Sequence, residues 1–346
     1  MARKKMMFVK SIAVGFLISA MMIMMTAFTG AGALAKDLPK VTWKISHTLN
    51  PKSVYNQAAL QFKAYVEDQS EGRFTIVIHH SGTLGWEREV LEAMQLGTIE
   101  ATIPSLGPFA VFVPSYNVFN LPFTFQGPEH MLAAYESPVM DKLKAAAEKK
   151  GFIVAEHFLP TFRYPLYKGH PINSPSDFKG LKFRTMGVPA HIDTYKALGA
   201  NVTSMAFKEV YGALQMGTID GVENYYNNLY TMKFQEQTKY ISNLPILNNA
   251  AAFVFSKVAY DQLPSEYQVI VVEGAKVGAK HANGIALTEE DKALQAMVDS
   301  GVQKVFVSDF GPFIDKTEPV SKKYLNDMEP WVAGVREEIM ALAEKK

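Results

Sequence analysis

The chain has 346 residues, 48% of them apolar and 20% charged, a balance that suggests two domains of ordinary globular character and excludes a disordered chain. With 35 Lys and Arg against 34 Asp and Glu there is no broad basic field, which excludes nucleic acid as the expected partner. Cysteine is absent, so thiol nucleophiles, disulfides, Cys-ligated zinc and iron–sulfur clusters are excluded together.

Residues 1–35 carry Arg3, Lys4, Lys5 and Lys10, then an uncharged run rich in Met, Ile, Phe and Leu that ends Ala33-Leu34-Ala35. A basic start, an apolar centre and a small-residue end read as a cleavable secretory signal peptide. A retained membrane anchor is the alternative, since the run is nearly long enough to span a bilayer. Export without cysteine fits a bacterial-type periplasm.

Residues 41–46 alternate and read as a strand ending at His47. Residues 55–69 have helical apolar spacing closed by Gly72; residues 74–78 read as a strand, 87–96 as a helix ending at Gly97, and 98–103 as a strand. This order predicts a parallel, doubly wound sheet. Residues 152–155 form a further strand, with 157–163 leaving it as a crossing, and 181–184 another strand. Residues 247–255 read as the return crossing. Ser265 and Gln268 have the spacing of a capping box opening a helix that meets no Pro until Pro312 and stops near Gly301, about 50 Å long at 1.5 Å per residue. Such a helix exceeds one small lobe and is expected to span two, with Gly274, Gly278 and Gly284 weakening or bending it. Residues 324–345 predict one final amphipathic helix.

An internal repeat organises these elements. Residues 89–101 read EVLEAMQLGTIEA and residues 209–221 read EVYGALQMGTIDG, identical at seven of thirteen positions. Each copy is a helix, a glycine suited to a left-handed stop, and a strand, which suggests a duplicated α/β unit; convergence of two helix caps is the alternative. Ligands of open α/β sheets bind beyond the carboxyl ends of strands. Pro104 and Ser105 after the first copy, and Glu223, Asn224 and Tyr225 after the second, are therefore pocket candidates.

Searches for catalytic motifs are negative: there is no G-x-S-x-G elbow, P-loop, G-x-G-x-x-G after a strand or H-E-x-x-H. No catalytic residue, metal site or cofactor is expected. Arg163, beside Phe162 and Tyr164, and Arg184, at the end of strand 181–184, offer forks of donors suited to a carboxylate. A salt bridge to a protein acid is the alternative for either. Trp43, Phe109, Phe207 and Tyr225 could pack the apolar part of a ligand or belong to the core.

Residues 173–184, NSPSDFKGLKFR, and 205–224, MAFKEVYGALQMGTIDGVEN, resemble two signatures of the solute-binding subunits of tripartite ATP-independent periplasmic (TRAP) transporters, dicarboxylate-type (DctP) family. Leu84-Gly85 followed by Glu89 and Gly97 resembles the first-lobe pattern, so the likeness covers essentially the whole chain after Ala35. It implies a two-lobed α/β periplasmic binding protein, each lobe a mixed, mostly parallel sheet flanked by helices, bridged by a long helix. The expected division is 1–35 signal peptide, 36–160 with 250–290 as one lobe, and 161–249 with 291–346 as the other. By resemblance Arg184 pairs with a ligand carboxylate, Arg163 assists, Asn224 contacts the ligand and Phe207 forms a pocket wall. Ser105 and His47 lie where first-lobe contacts usually occur, Tyr225 lies in a stretch that varies within the family, and Glu223 and Asp220 are read as bracing the loop. The implied function is capture of a small organic acid by lobe closure and delivery to an integral membrane TRAP permease, without enzymatic activity, by a monomer or dimer. A periplasmic receptor for a membrane sensor and a periplasmic lyase are the alternatives.

Overall fold

In the computed structural model, residues 38–345 are described, so the signal-peptide segment lies outside the described residues. The first lobe begins β1 (Val41–Ser46), α1 (Val54–Gln69), β2 (Phe74–His79), α2 (Glu87–Gln95), β3 (Ala101–Thr102), α3 (Leu106–Phe112), α4 (Pro128–Tyr135) and α5 (Val139–Glu148). Strand β4 (Phe152–Tyr167) then carries the chain to β5 (Lys182–Thr185), α6 (Pro189–Ala197), β6 (Asn201–Ser204), α7 (Val210–Gln215), β7 (Gly221–Asn224), α8 (Tyr226–Thr231) and β8 (Tyr240–Ser242). It returns along β9 (Leu247–Ser256) to α9 (Lys257–Asp261) and α10 (Ser265–Asp299), and ends in β10 (Gln303–Val305), α11 (Gly311–Asp327) and α12 (Pro330–Ala341).

Strands β2, β1 and β3 are parallel, and β3 meets β9 antiparallel. In the other lobe β6, β5 and β7 are parallel, and β7 meets β4 antiparallel. Strands β4 and β9 pair along nearly their whole length and join the two arrays, so the crossings expected at 157–163 and 247–255 are both strand. Their register shifts between Val154 and Glu156 and between Phe158 and Thr161. Within the second shift Leu159 takes φ +67°, a left-handed conformation unusual for a side chain with a Cβ, and its N–H donates to Asn283 Oδ1 of α10 at 2.8 Å.

The repeat folds alike in both lobes. Gly97 and Gly217 take φ +73° and +70°. Gly97 N donates to Met94 O and Thr98 N to Ala93 O, each at 3.0 Å; Gly217 N donates to Leu214 O at 3.1 Å and Thr218 N to Ala213 O at 2.9 Å. Both are the paired bonds of a left-handed helix stop, and each leads into a strand whose end faces the same space. The first of these strands is only Ala101–Thr102, shorter than expected.

Helix α10 is one continuous helix of 35 residues. It is closely packed because its buried face is small: Gly274, Ala275, Gly278, Ala279, Ala282 and Ala286. A Cβ on Gly278 would stand 2.7 Å from Ala58 O of α1 and 2.7 Å from the Phe253 ring of β9. Two expectations are corrected. The capping box at Ser265 does not form, because Pro264 occupies the cap position and Ser265 is already inside the helix; Gln268 Nε2 instead donates to Tyr260 O and Leu263 O. The final helix is two helices, since Pro330 lacks an N–H and holds Glu329 extended, closing α11 and opening α12. Helix α12 packs Val332, Val335 and Ile339 into the core formed by α2 to α5.

Candidate functional site

The carboxyl ends of β5 and β7 and the start of α3 surround a cavity of about 480 Å³, within the range usual for small-molecule sites. Of the expected residues, Arg184, Arg163, Asn224, Phe207, Ser105 and Tyr225 line it together. His47 does not. It lies behind the wall, its ring 6.4 Å from that of the lining residue Tyr55, and its Nε2 meets Asn56 Oδ1 at 3.2 Å. Burial lowers its pKa to about 4, so it is neutral at neutral pH. Trp43 and Phe109 are core residues away from the cavity.

Arg184 is the third residue of β5 and 3% exposed. Its Nε and Nη2 donate to Met205 O at 3.3 and 2.8 Å, and its Nη1 is buried without a partner. Such an N–H carries a desolvation cost that an incoming acceptor removes. The ring of Phe207 lies 5.6 Å from the guanidinium carbon, and Phe234 meets Phe207 edge-on at 5.5 Å between ring centroids. Burial lowers the Arg184 pKa to about 10, Glu223 acting against that and Arg163 with it, and the group stays cationic at neutral pH.

Arg163 reaches the same wall already engaged. Its Nε pairs with Glu223 Oε2, Nη2 donates to Glu223 O at 3.1 Å, and Nη1 donates to Asn249 Oδ1 at 2.7 Å. Glu223 is fully buried and also accepts from Thr185 Oγ1 at 2.8 Å, so it ties β4, β5 and β7 together. Asp220 braces the far end of β5, accepting the Lys182 N–H at 3.0 Å. Asn224 Oδ1 accepts the Tyr225 N–H at 3.0 Å, and Tyr225 opens α8.

Several lining residues carried no prior assignment. Glu87, at the start of α2, accepts the Ser105 N–H at 2.9 Å. Burial raises its pKa, with Ser105, Arg163 and Arg184 acting in the opposite direction. Tyr55, from α1, lines the cavity beside them. Tyr225, Asn228 and Asn249 line the cavity, and Tyr225 Oη, Asn228 Oδ1 and Asn249 Nδ2 are buried with no partner. The signal for Asn249 was visible as two amides, Asn248 and Asn249, inside an otherwise apolar strand. Among the described residues no group of three or more His, Asp or Glu is placed to hold a metal ion.

Residues 45–327 match the family described as bacterial extracellular solute-binding protein, family 7 (DctP). The chain is 33% identical over 286 residues to a solute-binding protein of Verminephrobacter eiseniae, covering 82% of this chain and 85% of that one. It is 32% identical over 284 residues to the C4-dicarboxylate-binding periplasmic protein DctP of Rhodobacter capsulatus, covering 80% and 84%. Among solved structures it is similar to a TRAP periplasmic solute-binding protein of Chromohalobacter salexigens with bound D-glucuronate, with TM-score 0.84, 26% identity and coverage of 87% and 99%. A TRAP solute-binding protein of Polaromonas bound to D-erythronate gives TM-score 0.83, 29% identity and coverage of 87% and 98%.

Proposed function

This chain belongs to the family 7 bacterial extracellular solute-binding proteins, transport proteins rather than enzymes, and from that premise we propose that it captures a small organic carboxylate on Arg184 in the periplasm and delivers it to an integral membrane TRAP permease. The single observation that carries this reading is the buried, unpartnered Nη1 of Arg184, a residue that lines the cavity. A carboxylate there accepts a charge-assisted hydrogen bond from a group that otherwise has none. Arg163 supports the contact at a distance: its charge is neutralised by Glu223, so it stiffens the wall without competing for the anion. Phe207 lies against the face of Arg184.

Ligand capture and lobe closure are linked by differential affinity. Arg184, Asn224 and Phe207 come from the second lobe, Ser105, Glu87 and Tyr55 from the first. A ligand that touches both sets favours the closed arrangement by the free energy of the contacts that exist only there. The relatives bind C4-dicarboxylate, D-glucuronate and D-erythronate by their descriptions, and acids of this size suit the cavity. No described helix is long and apolar enough to cross a membrane, consistent with a separate permease as the membrane partner.

The test is isothermal titration calorimetry with a panel of sugar acids, hydroxy acids and dicarboxylates on the wild type and Arg184→Ala. Affinity for any acid that binds is expected to fall by about 100-fold or more, since the variant leaves a buried carboxylate unpaired. Circular dichroism checks that the variant is folded. Unchanged affinity in a folded variant would remove Arg184 as the anchor.

A further inference from the structure

Two polar contacts join the lobes at residues outside the ligand-facing wall. In the first, the ammonium of Lys208 lies over the Trp86 ring, 5.8 Å from its centre. Trp86 caps α2 in the first lobe, and Lys208 lies between β6 and α7 in the second. The indole is seated on its own lobe, since a Cβ on Gly82 would stand 3.4 Å from it. In the second contact Asn50 Nδ2, between β1 and α1, donates at 3.1 Å to the hydroxyl of Thr231, which ends α8. Both partners are oriented for this bond. Asn50 Oδ1 accepts the Lys52 N–H at 2.9 Å, which fixes its amide, and Thr231 Oγ1 donates to Asn228 O at 3.4 Å, which leaves its lone pairs for Asn50. Trp86 lines the cavity, whereas Lys208, Asn50 and Thr231 do not. Gly107 shows how closely the lobes approach: a Cβ there, on α3, would stand 2.9 Å from Met186 Cε and 3.1 Å from Val188 Cγ2 of the other lobe.

We infer that Lys208 with Trp86, and Asn50 with Thr231, form a latch that sets how tightly any ligand is held without choosing between ligands. The inference rests on the reading that the lobes close on a bound acid. Opening carries Lys208 off the indole and Asn50 off Thr231, and water then solvates each group. The free energy of both contacts therefore belongs to the closed state alone, and it enters the affinity for every acid by the same factor. A side chain that touched the ligand would act differently, its effect changing with the acid. An exposed cation over an indole face and one neutral hydrogen bond are each worth about threefold in such an equilibrium. The two contacts share no group, so together they are worth about tenfold.

Calorimetry with the same panel of sugar acids, hydroxy acids and dicarboxylates tests this, with circular dichroism as the check on folding. Lys208→Gln is expected to weaken every acid that binds by about threefold, and Lys208→Arg, whose flat guanidinium also stacks on an indole, to keep wild-type affinity or exceed it. Asn50→Ala and Thr231→Val are each expected to cost about threefold, and the two combined no more than either alone, because they remove one bond. Lys208→Gln combined with Thr231→Val is expected to cost about tenfold. Unchanged affinity in Lys208→Gln or in Asn50→Ala overturns the contact concerned. A loss in Lys208→Gln that is larger for dicarboxylates than for monoacids makes Lys208 a charge that attracts the ligand and overturns its place in the latch. Losses that add in the Asn50→Ala, Thr231→Val double variant show Thr231 acting through Asn228 and overturn the second contact. Failure of the underlying reading looks different. Small-angle X-ray scattering that finds no compaction of the wild type with saturating acid refutes closure itself, as does a wild type that binds no acid of the panel.

Discussion

Replacing Glu223 by Gln probes the part of the site that holds rather than touches. Glu223 is fully buried against Arg163, itself 2% exposed, and accepts from Thr185 at 2.8 Å. The substitution conserves volume and leaves an oxygen for Thr185, so the change is chiefly one of charge. Arg163 then becomes a buried cation without its neutraliser, with the second cation Arg184 on the same cavity wall. Removing one partner of a buried pair costs about 3–5 kcal/mol. With a urea slope of about 3 kcal/mol per molar, a loss of ~4 kcal/mol lowers the unfolding midpoint by about 1.3 M. The same reasoning fixes the sign of a second effect. A bound anion compensates two cations in the variant but only one in the wild type, so saturating acid ligand should raise the variant's midpoint by more than it raises the wild type's. The assay is urea denaturation followed by circular dichroism, with and without ligand. A stability loss below about 1 kcal/mol, or equal ligand stabilisation of both proteins, would refute the assignment of Glu223 as neutraliser of the wall.

Two further outcomes test the packing around the site. Burial lowers the pKa of His47 from 6.5 to about 4, so the unfolded chain takes up its proton at a higher pH than the folded one. Stability is therefore expected to fall as pH drops from 6.5 toward 4, by up to about 3 kcal/mol from this residue. His47→Gln should flatten part of that decline in urea titrations at stepped pH; His157, lowered to about 3 by burial, keeps some of the slope. On α10, Gly278→Ala forces a methyl within 2.7 Å of Ala58 O and is expected to cost about 1–3 kcal/mol. Gly284→Ala meets nothing within 4 Å and should stabilise by about 0.5–1 kcal/mol, so thermal melts of the two variants should shift in opposite directions.

What could be read from the residues alone divides along physical lines. The repeat was legible because both copies need the same left-handed glycine and the same pair of terminal bonds, which local sequence specifies. The long helix was legible because nothing interrupts it. Arg184 was legible as a strand-end arginine, but its spare N–H depends on Met205 O lying close by, which only the tertiary structure decides. The engagement of Arg163 was hidden for the same reason: Glu223 is 60 residues away and meets it through the antiparallel pairing of β4 with β7. No sequence motif marks Glu87, and its place in the wall comes from the loop that brings Ser105 to it. His47 shows the converse. It sits one residue before the lining residue Thr48, and a single step along the chain at the end of β1 was enough to put its ring behind the wall.

Strands β4 and β9 pass between the lobes as a ribbon laced by hydrogen bonds, its register shifting once near Ala155 and again near Leu159. Two bodies joined in this way have little freedom to wander relative to each other. On the proposed closure, flexing of the ribbon is expected at these irregular stretches, the second of which is tied to α10 through Asn283. If capture proceeds by the closure proposed above, the lobes begin close to its path and little orientational freedom remains to be lost on binding.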